Sequence, residues 1–524
     1  MKIQRPVKFL IAALFIFSTF ACSLGAAQPK NDGLTVLAGS ELKDLEPMLG
    51  QIQKDTGIHL VMKYTGTLDG AEKIMSGEQV DFAWFSHAKY LNLIQGSQSK
   101  VLAQESIMLS PVVLGVKESK AKAWGWVDNQ NLTWSDVTNK AGSGELRFAM
   151  TNPAFSNSGF SALVGVAAAL SGKSDALQIE DVNRVSPTLK TFFKGQALTA
   201  GSSGWLADQY VQEQDRLDGM INYESVLLAL NKSGKLKEPF YLIYPKEGII
   251  TADYPLLLIN PNQRDAYNKL VEYLRKPDVQ TQIMTSTLRR PANPQVALTQ
   301  DFPNRLLVEL PFPSSQAVVD RLLFSYLDEQ IKPSHTYYVL DISGSMEGSR
   351  LDSLKKAMDN LSGTDTSLTG QFARFRDREK VTIIPFNSQI QGVSDFEINV
   401  NQPETLKAVR DYTDSLKAAG NTAIFSALQQ AYRQAVQDRQ KEPDRNYSIV
   451  LMSDGENNSG ISMGDFDAFY QNTSGVEDIR TFTILFGEAN QSTMQAIANA
   501  TGGQMFDASH DPLPAIFKEI RGYQ

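Results

Sequence analysis

The chain has one cysteine, Cys22, among 524 residues. A single thiol cannot close an internal disulfide, so a disulfide-stapled scaffold is excluded. Histidine is also scarce. The four, at 59, 87, 335 and 510, show no metal-ligand spacing, so a histidine-built zinc or iron centre is not expected. Basic residues form no stripe and do not interleave with aromatics, and the formal net charge is −8. Nucleic acid is therefore not an expected partner. No phosphate-binding Walker loop and no dinucleotide-binding glycine fingerprint occurs. After residue 22 no apolar run is long enough to cross a bilayer. No repeat at a fixed period is found.

What is present begins with a leader. Lys2, Arg5 and Lys8 precede the apolar run FLIAALFIFSTFAC, which has the length of a signal-peptide core. Residues 1–21 are expected to be that peptide, and residues 22–33 a small, polar tether. Ala21-Cys22 resembles the lipobox of bacterial lipoproteins, although Thr19 stands where an aliphatic residue is usual. The resemblance implies lipidation at Cys22 and a membrane contact through the lipid alone. Ser23 in place of an aspartate implies the outer membrane, facing the periplasm, in a Gram-negative cell. Plain cleavage after Ala27 is the alternative.

From residue 34 strands and helices alternate. LTVLAG reads as a strand, SELKDLEPMLGQIQKDTG as a helix capped by Ser40 and stopped by Gly57, and HLVMKYTG and VDFAWFS as further strands. The alternation runs to about residue 300, ending in one long helix over PNQRDAYNKLVEYLRKPDVQTQIMTS. Residues 301–333 carry the prolines of ELPFPSS and then a helical pattern, and are expected to form a linker and connecting helix. A second alternation fills residues 334–524. Continuous apolar strands such as SIVLM require a sheet covered on both faces. The expected class is α/β, with a mostly parallel sheet in the second unit.

In the second unit three loops carry short oxygen side chains. Asp341, Ser343 and Ser345 follow the strand TYYVLD, Thr422 stands before a helix, and Asp454 ends the strand YSIVLMSD. In an open parallel sheet such loops meet beyond the carboxyl ends of the strands. Two carboxylates and three hydroxyls suit a hard divalent cation, and so few anionic ligands leave it positive enough to accept an external carboxylate. Asp-x-Ser-x-Ser, Asn421-Thr422 and Ser453-Asp454-Gly455 together resemble the von Willebrand factor A domain and its metal-ion-dependent adhesion site. The resemblance implies a doubly wound fold. It also implies Mg²⁺ (or Mn²⁺ or Ca²⁺) ligated by Ser343, Ser345 and Thr422, with Asp341 and Asp454 direct or through water. The partner it implies is a protein that offers an acidic side chain.

Two other motifs overlap this unit. Asp341, Ser343, Ser345 and Asp352 have the spacing of a calcium-binding EF-hand loop, but Met346 occupies its glycine position and a strand precedes it. Gly460-Ile461-Ser462-Met463-Gly464 fits the G-x-S-x-G pattern of serine hydrolases without the strand that pattern needs, and only His510 lies downstream as a base. Ser462 reads more simply as a helix cap.

LTVLAGSELKDLEPMLGQIQKDTGIHLVMKYTGT with VDFAWFSHAKY resembles bacterial extracellular solute-binding proteins of the type 2 periplasmic-binding fold, closest to the molybdate/sulfate-type branch. The resemblance spans about residues 34–300. It implies two α/β lobes joined by two crossing strands, with the ligand between them. The crossings are expected near residues 106–112 and 249–256. Ser40, Thr65, Thr67, Ser156 and Ser158 lie at expected helix starts, where backbone N–H groups can hold a small anion, and Tyr223 is a further cleft candidate. Each of the hydroxyls could equally be only a cap. The expected function is that of a cell-envelope adaptor that binds rather than catalyses. The alternatives are the solute-binding component of an importer and, through Ser462, a hydrolase.

Overall fold

The computed structural model describes residues 33–303, 306–399, 401–509 and 511–524. Residues 1–32, on which the expected leader, Cys22 and most of the expected tether fall, and His510 lie outside the described residues. Among the described residues no helix is long and apolar enough to cross a membrane.

The first unit has two sheets. In the first, Leu34–Ala38 pairs in parallel with Leu60–Tyr64 and Phe82–Trp84, and Pro255–Leu258 returns antiparallel between Phe82–Trp84 and Ala103–Ser106. The second is centred on the long strand Met108–Lys117, which pairs antiparallel with Gly219–Tyr223; Phe148–Thr151 and Gln196–Ala200 extend it in parallel. The chain crosses between the sheets twice, from Ser106 to Met108 and from Ala252 to Pro255. These two crossings join the lobes.

Local structure departs from the sequence expectation in two places. Ser40 does not cap a helix. Gly39 holds that position without a side-chain bond, and Ser40 opens a 3₁₀ segment, Ser40–Leu45, before the α-helix Glu46–Thr56. Pro47 explains the division, because it lacks the N–H needed inside a continuous helix and is tolerated in a first turn. The long helix expected over 261–286 is likewise two, Arg264–Leu274 and Pro277–Thr287, broken ahead of Pro277.

The second unit is one six-stranded sheet in the order Ser394–Glu397, Lys380–Phe386, Ser334–Asp341, Asn446–Ser453, Arg480–Leu485, Met505–Asp507. All pairings are parallel except that of the edge strand Ser394–Glu397. Side chains alternate across a strand, and here both faces are buried. Tyr337, Val339, Ile449 and Leu451 pack against the helix Ile424–Lys441, whereas Tyr338, Leu340, Val450 and Met452 face Leu351, Leu354 and Phe517. The order reverses beside Ser334–Asp341, which places the switch point at the ends of Ser334–Asp341 and Asn446–Ser453.

The two units share a core. The connecting helix Gln316–Ser325 buries Val318, Val319, Leu322 and Leu323 in the first unit. Leu198 and Tyr210 belong to the same apolar cluster as Tyr338 and Phe517. The C-terminal domain touches both lobes. Tyr523 meets Trp205 edge-on at 5.0 Å. Glu72, on the first lobe, accepts hydrogen bonds from Thr369 N at 2.7 Å and Thr369 Oγ1 at 2.5 Å and lies 3.7 Å from Lys518.

Candidate metal centre and inter-lobe cleft

The five residues singled out in the second unit converge. Asp341 closes its strand, Ser343 stands just before the short 3₁₀ turn Gly344–Met346, and Ser345 lies within it. Gly344 N donates to Gly420 O at 2.9 Å, tying this loop to the one that carries Thr422. A Cβ placed on Gly455 would lie 3.6 Å from Thr422 Oγ1 and 3.9 Å from Ser345 Oγ, so all three loops meet there. Ser343 Oγ and Ser345 Oγ are 3.0 Å apart, and Ser345 Oγ donates to Asp454 Oδ1 at 2.7 Å. Asp341, Ser343, Thr422 and Asp454 are buried, while Ser345 is exposed and opens the cluster to solvent.

Asp341 accepts from Ser343 N at 2.7 Å and from Ser453 Oγ at 2.5 Å. Burial pushes its carboxyl above the ordinary range, those hydrogen bonds pull it down, and the nearby charge of Asp454 raises it again. Among the described residues no cationic side chain pairs with Asp341. A fully buried carboxylate without a counter-charge is costly. An oxygen-only cage around it fits a hard divalent cation. Among the described residues no group of three or more His, Cys, Asp or Glu is placed to hold a metal, so a cation bound here relies on hydroxyls.

Sequence spacing gave no sign of two supporting groups. Asn458 Oδ1 accepts from Thr422 N at 2.8 Å and fixes that loop. Arg350, at the start of the helix Ser349–Asp359, donates to Asp454 Oδ2 at 2.5 Å. Gly487, at φ 61°, makes room for it: a Cβ there would stand 3.1 Å from the guanidinium carbon. Asp352 lies in the first turn of the same helix, with the strand Ser334–Asp341 rather than a helix before the loop. Ser462 is committed to a capping box with Asp465, donating to its Oδ2 at 2.6 Å and accepting from its N at 3.2 Å.

In the first unit the lobes are in contact. A Cβ on Gly66 would lie 2.5 Å from the carbonyl oxygen of Phe155, and Tyr223 Oη donates across the cleft to Glu41 Oε1 at 3.5 Å. The loops carrying Thr65–Thr67 and Ser156 therefore face each other. Their hydroxyls differ in availability. Thr65 is bonded to Asp69, and Ser158 lies 2.9 Å from Thr151 Oγ1 within its own lobe. Ser156, the residue before the helix Asn157–Ser171, makes no side-chain cap bond, and Ser40 lies inside its 3₁₀ segment. Thr67 Oγ1 is buried with no partner.

The principal cleft residue that sequence reasoning missed is Arg289, which is fully buried. Its guanidinium lies 4.8 Å from the centre of the Tyr254 ring, and it donates to Asp44 Oδ2 at 2.6 Å and to the Glu41 carbonyl at 2.9 Å. Arg289 also interacts with the Tyr254 hydroxyl, and the buried Ser86 hydroxyl with Tyr223. The neighbouring Arg290 forms a buried two-bond pair with Glu224 at 2.7 and 2.8 Å. The paired arginines before Pro291 were the available sequence signal.

Comparison with known proteins finds two families along the chain. Residues 34–286 match the family described as bacterial extracellular solute-binding protein, and residues 337–519 match the von Willebrand factor type A domain. Over 179 residues the chain is 28% identical to an uncharacterized protein of Synechocystis sp., a match covering 33% of this chain and 37% of that protein. Among solved structures, the periplasmic binding protein AfuA of Actinobacillus pleuropneumoniae superposes with a TM-score of 0.44 at 13% identity, over 57% of this chain and 98% of that one. A von Willebrand factor type A protein of Catenulispora acidiphila gives 0.29 at 20% identity, over 36% and 42%. The mixed α/β architecture is thus a periplasmic-binding-like fold followed by a von Willebrand factor A fold with a mostly parallel sheet.

Proposed function

We propose that this chain, a bacterial extracellular solute-binding domain joined to a von Willebrand factor A domain, is a cell-envelope adaptor that grips a protein partner through a divalent cation. The observation that carries the reading is the buried Asp341 carboxylate, held by a hydroxyl and an N–H and, among the described residues, ion-paired with no cationic side chain, in a cluster open at Ser345. Ser343, Ser345 and Thr422 would hold Mg²⁺ (or Mn²⁺ or Ca²⁺), with Asp341 and Asp454 direct or through water. The cation would supply a Lewis-acidic position for a partner's carboxylate. The protein's part is to fix the oxygens: Gly420 and Asn458 hold the loops, and the covered sheet keeps them rigid.

Lipidation at Cys22, with the chain facing the periplasm from the outer membrane, belongs to the same proposal. A second reading, a solute-binding component of an importer, is favoured by the fully buried Arg289 and the unpartnered Thr67 Oγ1 at the lobe interface.

Titration calorimetry of Mg²⁺ into the full chain and into Asp454→Ala tests the main reading. Saturable Mg²⁺ heat is expected in the parent and none in the variant, with circular dichroism confirming that both are folded. Equal Mg²⁺ affinity in the two would overturn it. Pull-down from envelope extract with Mg²⁺ or with chelator then tests for a metal-dependent partner.

A further inference from the structure

A groove of about 270 Å³ lies where the second lobe meets the C-terminal domain. Arg147, Lys194 and Arg216 line it from the lobe, Arg439, Arg445 and Arg480 from the C-terminal domain, and Lys332 from the connection between them. Two carboxylates, Glu213 and Asp478, share that lining. They do not neutralise it. Glu213 is taken by Arg480 at 2.5 Å, and Asp478 is divided between Arg216 and Arg439. Arg445 is held by Glu442, and Lys332 reaches Asp444 only at 3.7 Å. Arg147 and Lys194 are exposed, and among the described residues neither has a carboxylate within ion-pair distance.

This surplus occurs in a chain whose overall charge is negative, so it is a local arrangement and not a reflection of composition. Cations gathered in a concave, partly buried space focus a positive potential on it. Guanidinium groups match the oxygens of phosphate in paired, charge-assisted hydrogen bonds. Two arginines sharing one carboxylate leave donor capacity for a further acceptor. The groove lies at the amino ends of Asn446–Ser453 and Arg480–Leu485, opposite the end that carries Asp454, and so is separate from the candidate metal centre.

We propose that this groove binds a phosphate-class anion carrying at least two negative charges, and that the anion ties the two domains together. Both walls supply ligands, so occupancy stabilises their junction. The probe is inorganic pyrophosphate, titrated calorimetrically into the full chain in divalent-free, low-salt buffer. Saturable one-to-one binding is expected, weakened about tenfold or more in the Arg147→Ala/Lys194→Ala double variant, since two charge-assisted contacts are lost. Both side chains are exposed, so the variant should fold, and an unchanged Mg²⁺ titration would confirm that it has. Absence of saturable heat with the parent, or equal affinity in the double variant, would overturn the proposal. In a further arm, vesicles containing phosphatidic acid that displace pyrophosphate would identify the anion as a lipid headgroup, and failure to displace it would identify a soluble phosphate.

Discussion

At the proposed metal site Arg350 and a divalent cation would compete for the same carboxylate. Asp454 is buried, and Arg350 is the cation that sits on it at 2.5 Å, with 33% of its own side chain exposed. Opposite charges about 4 Å apart at an effective dielectric of about 20 attract by about 4 kcal/mol. Desolvation of the carboxylate and solvent screening of the exposed part of the guanidinium reduce the net value to about 1–2 kcal/mol. A cation binding through Asp454 must overcome that interaction. Arg350→Ala should therefore bind Mg²⁺ about five- to thirtyfold more tightly, the factor corresponding to about 1–2 kcal/mol. The same substitution should lower the melting temperature in chelator, because Asp454 loses its counter-charge, and saturating Mg²⁺ should restore it. Calorimetric titration and thermal unfolding of the same samples read both effects. If Arg350→Ala binds Mg²⁺ within twofold of the parent, or more weakly, the guanidinium is not a competitor and this account of the site is wrong.

Three further outcomes follow from the packing. Burial first, and the charge of Lys89 second, depress His87 to about 3. The unfolded chain takes up that proton below its ordinary pH of about 6.5, so the stability contribution is present above this pH and is lost as the pH falls, by about 1.4 kcal/mol per unit. His87→Gln should flatten the urea midpoint between pH 6.5 and 4, and parallel slopes in parent and variant would count against it. A Cβ on Gly201 would lie 2.4 Å from the Tyr523 ring, which is itself wedged against Trp205. Gly201→Val should split a coupled calorimetric transition into two, whereas an unchanged thermogram would show that this contact does not join the domains. Arg289→Met removes a buried cation from Asp44 and from the Tyr254 ring; because Asp44 is 42% exposed and solvent screens the pair, the first domain should be destabilised by about 1–2 kcal/mol in chemical denaturation. A loss below 1 kcal/mol would mean that the pair is dispensable.

Much of the candidate metal centre was legible because its signals are local. Asp341, Ser343 and Ser345 fall within five residues after an apolar strand, and Thr422 and Asp454 each sit at the edge of an element whose periodicity marks it. Period-two and period-3.6 patterns depend only on backbone geometry, so the alternation of strands and helices could be read in order. Pro47 and Pro277 subdivided helices that apolar spacing alone joined, since spacing registers a face and is blind to a missing N–H. Other features depend on residues far apart in the chain: Arg350 on Asp454, Arg289 beneath the closed lobes, Tyr523 against Gly201, and the basic groove shared by Arg147 and Arg480. No local preference places an arginine opposite a carboxylate a hundred residues away. Sequence alone determined the two successive α/β units and the oxygen-bearing loops of the second. Only tertiary packing decided which charges meet, because long-range pairing is set by how whole sheets and helices bury their faces against one another.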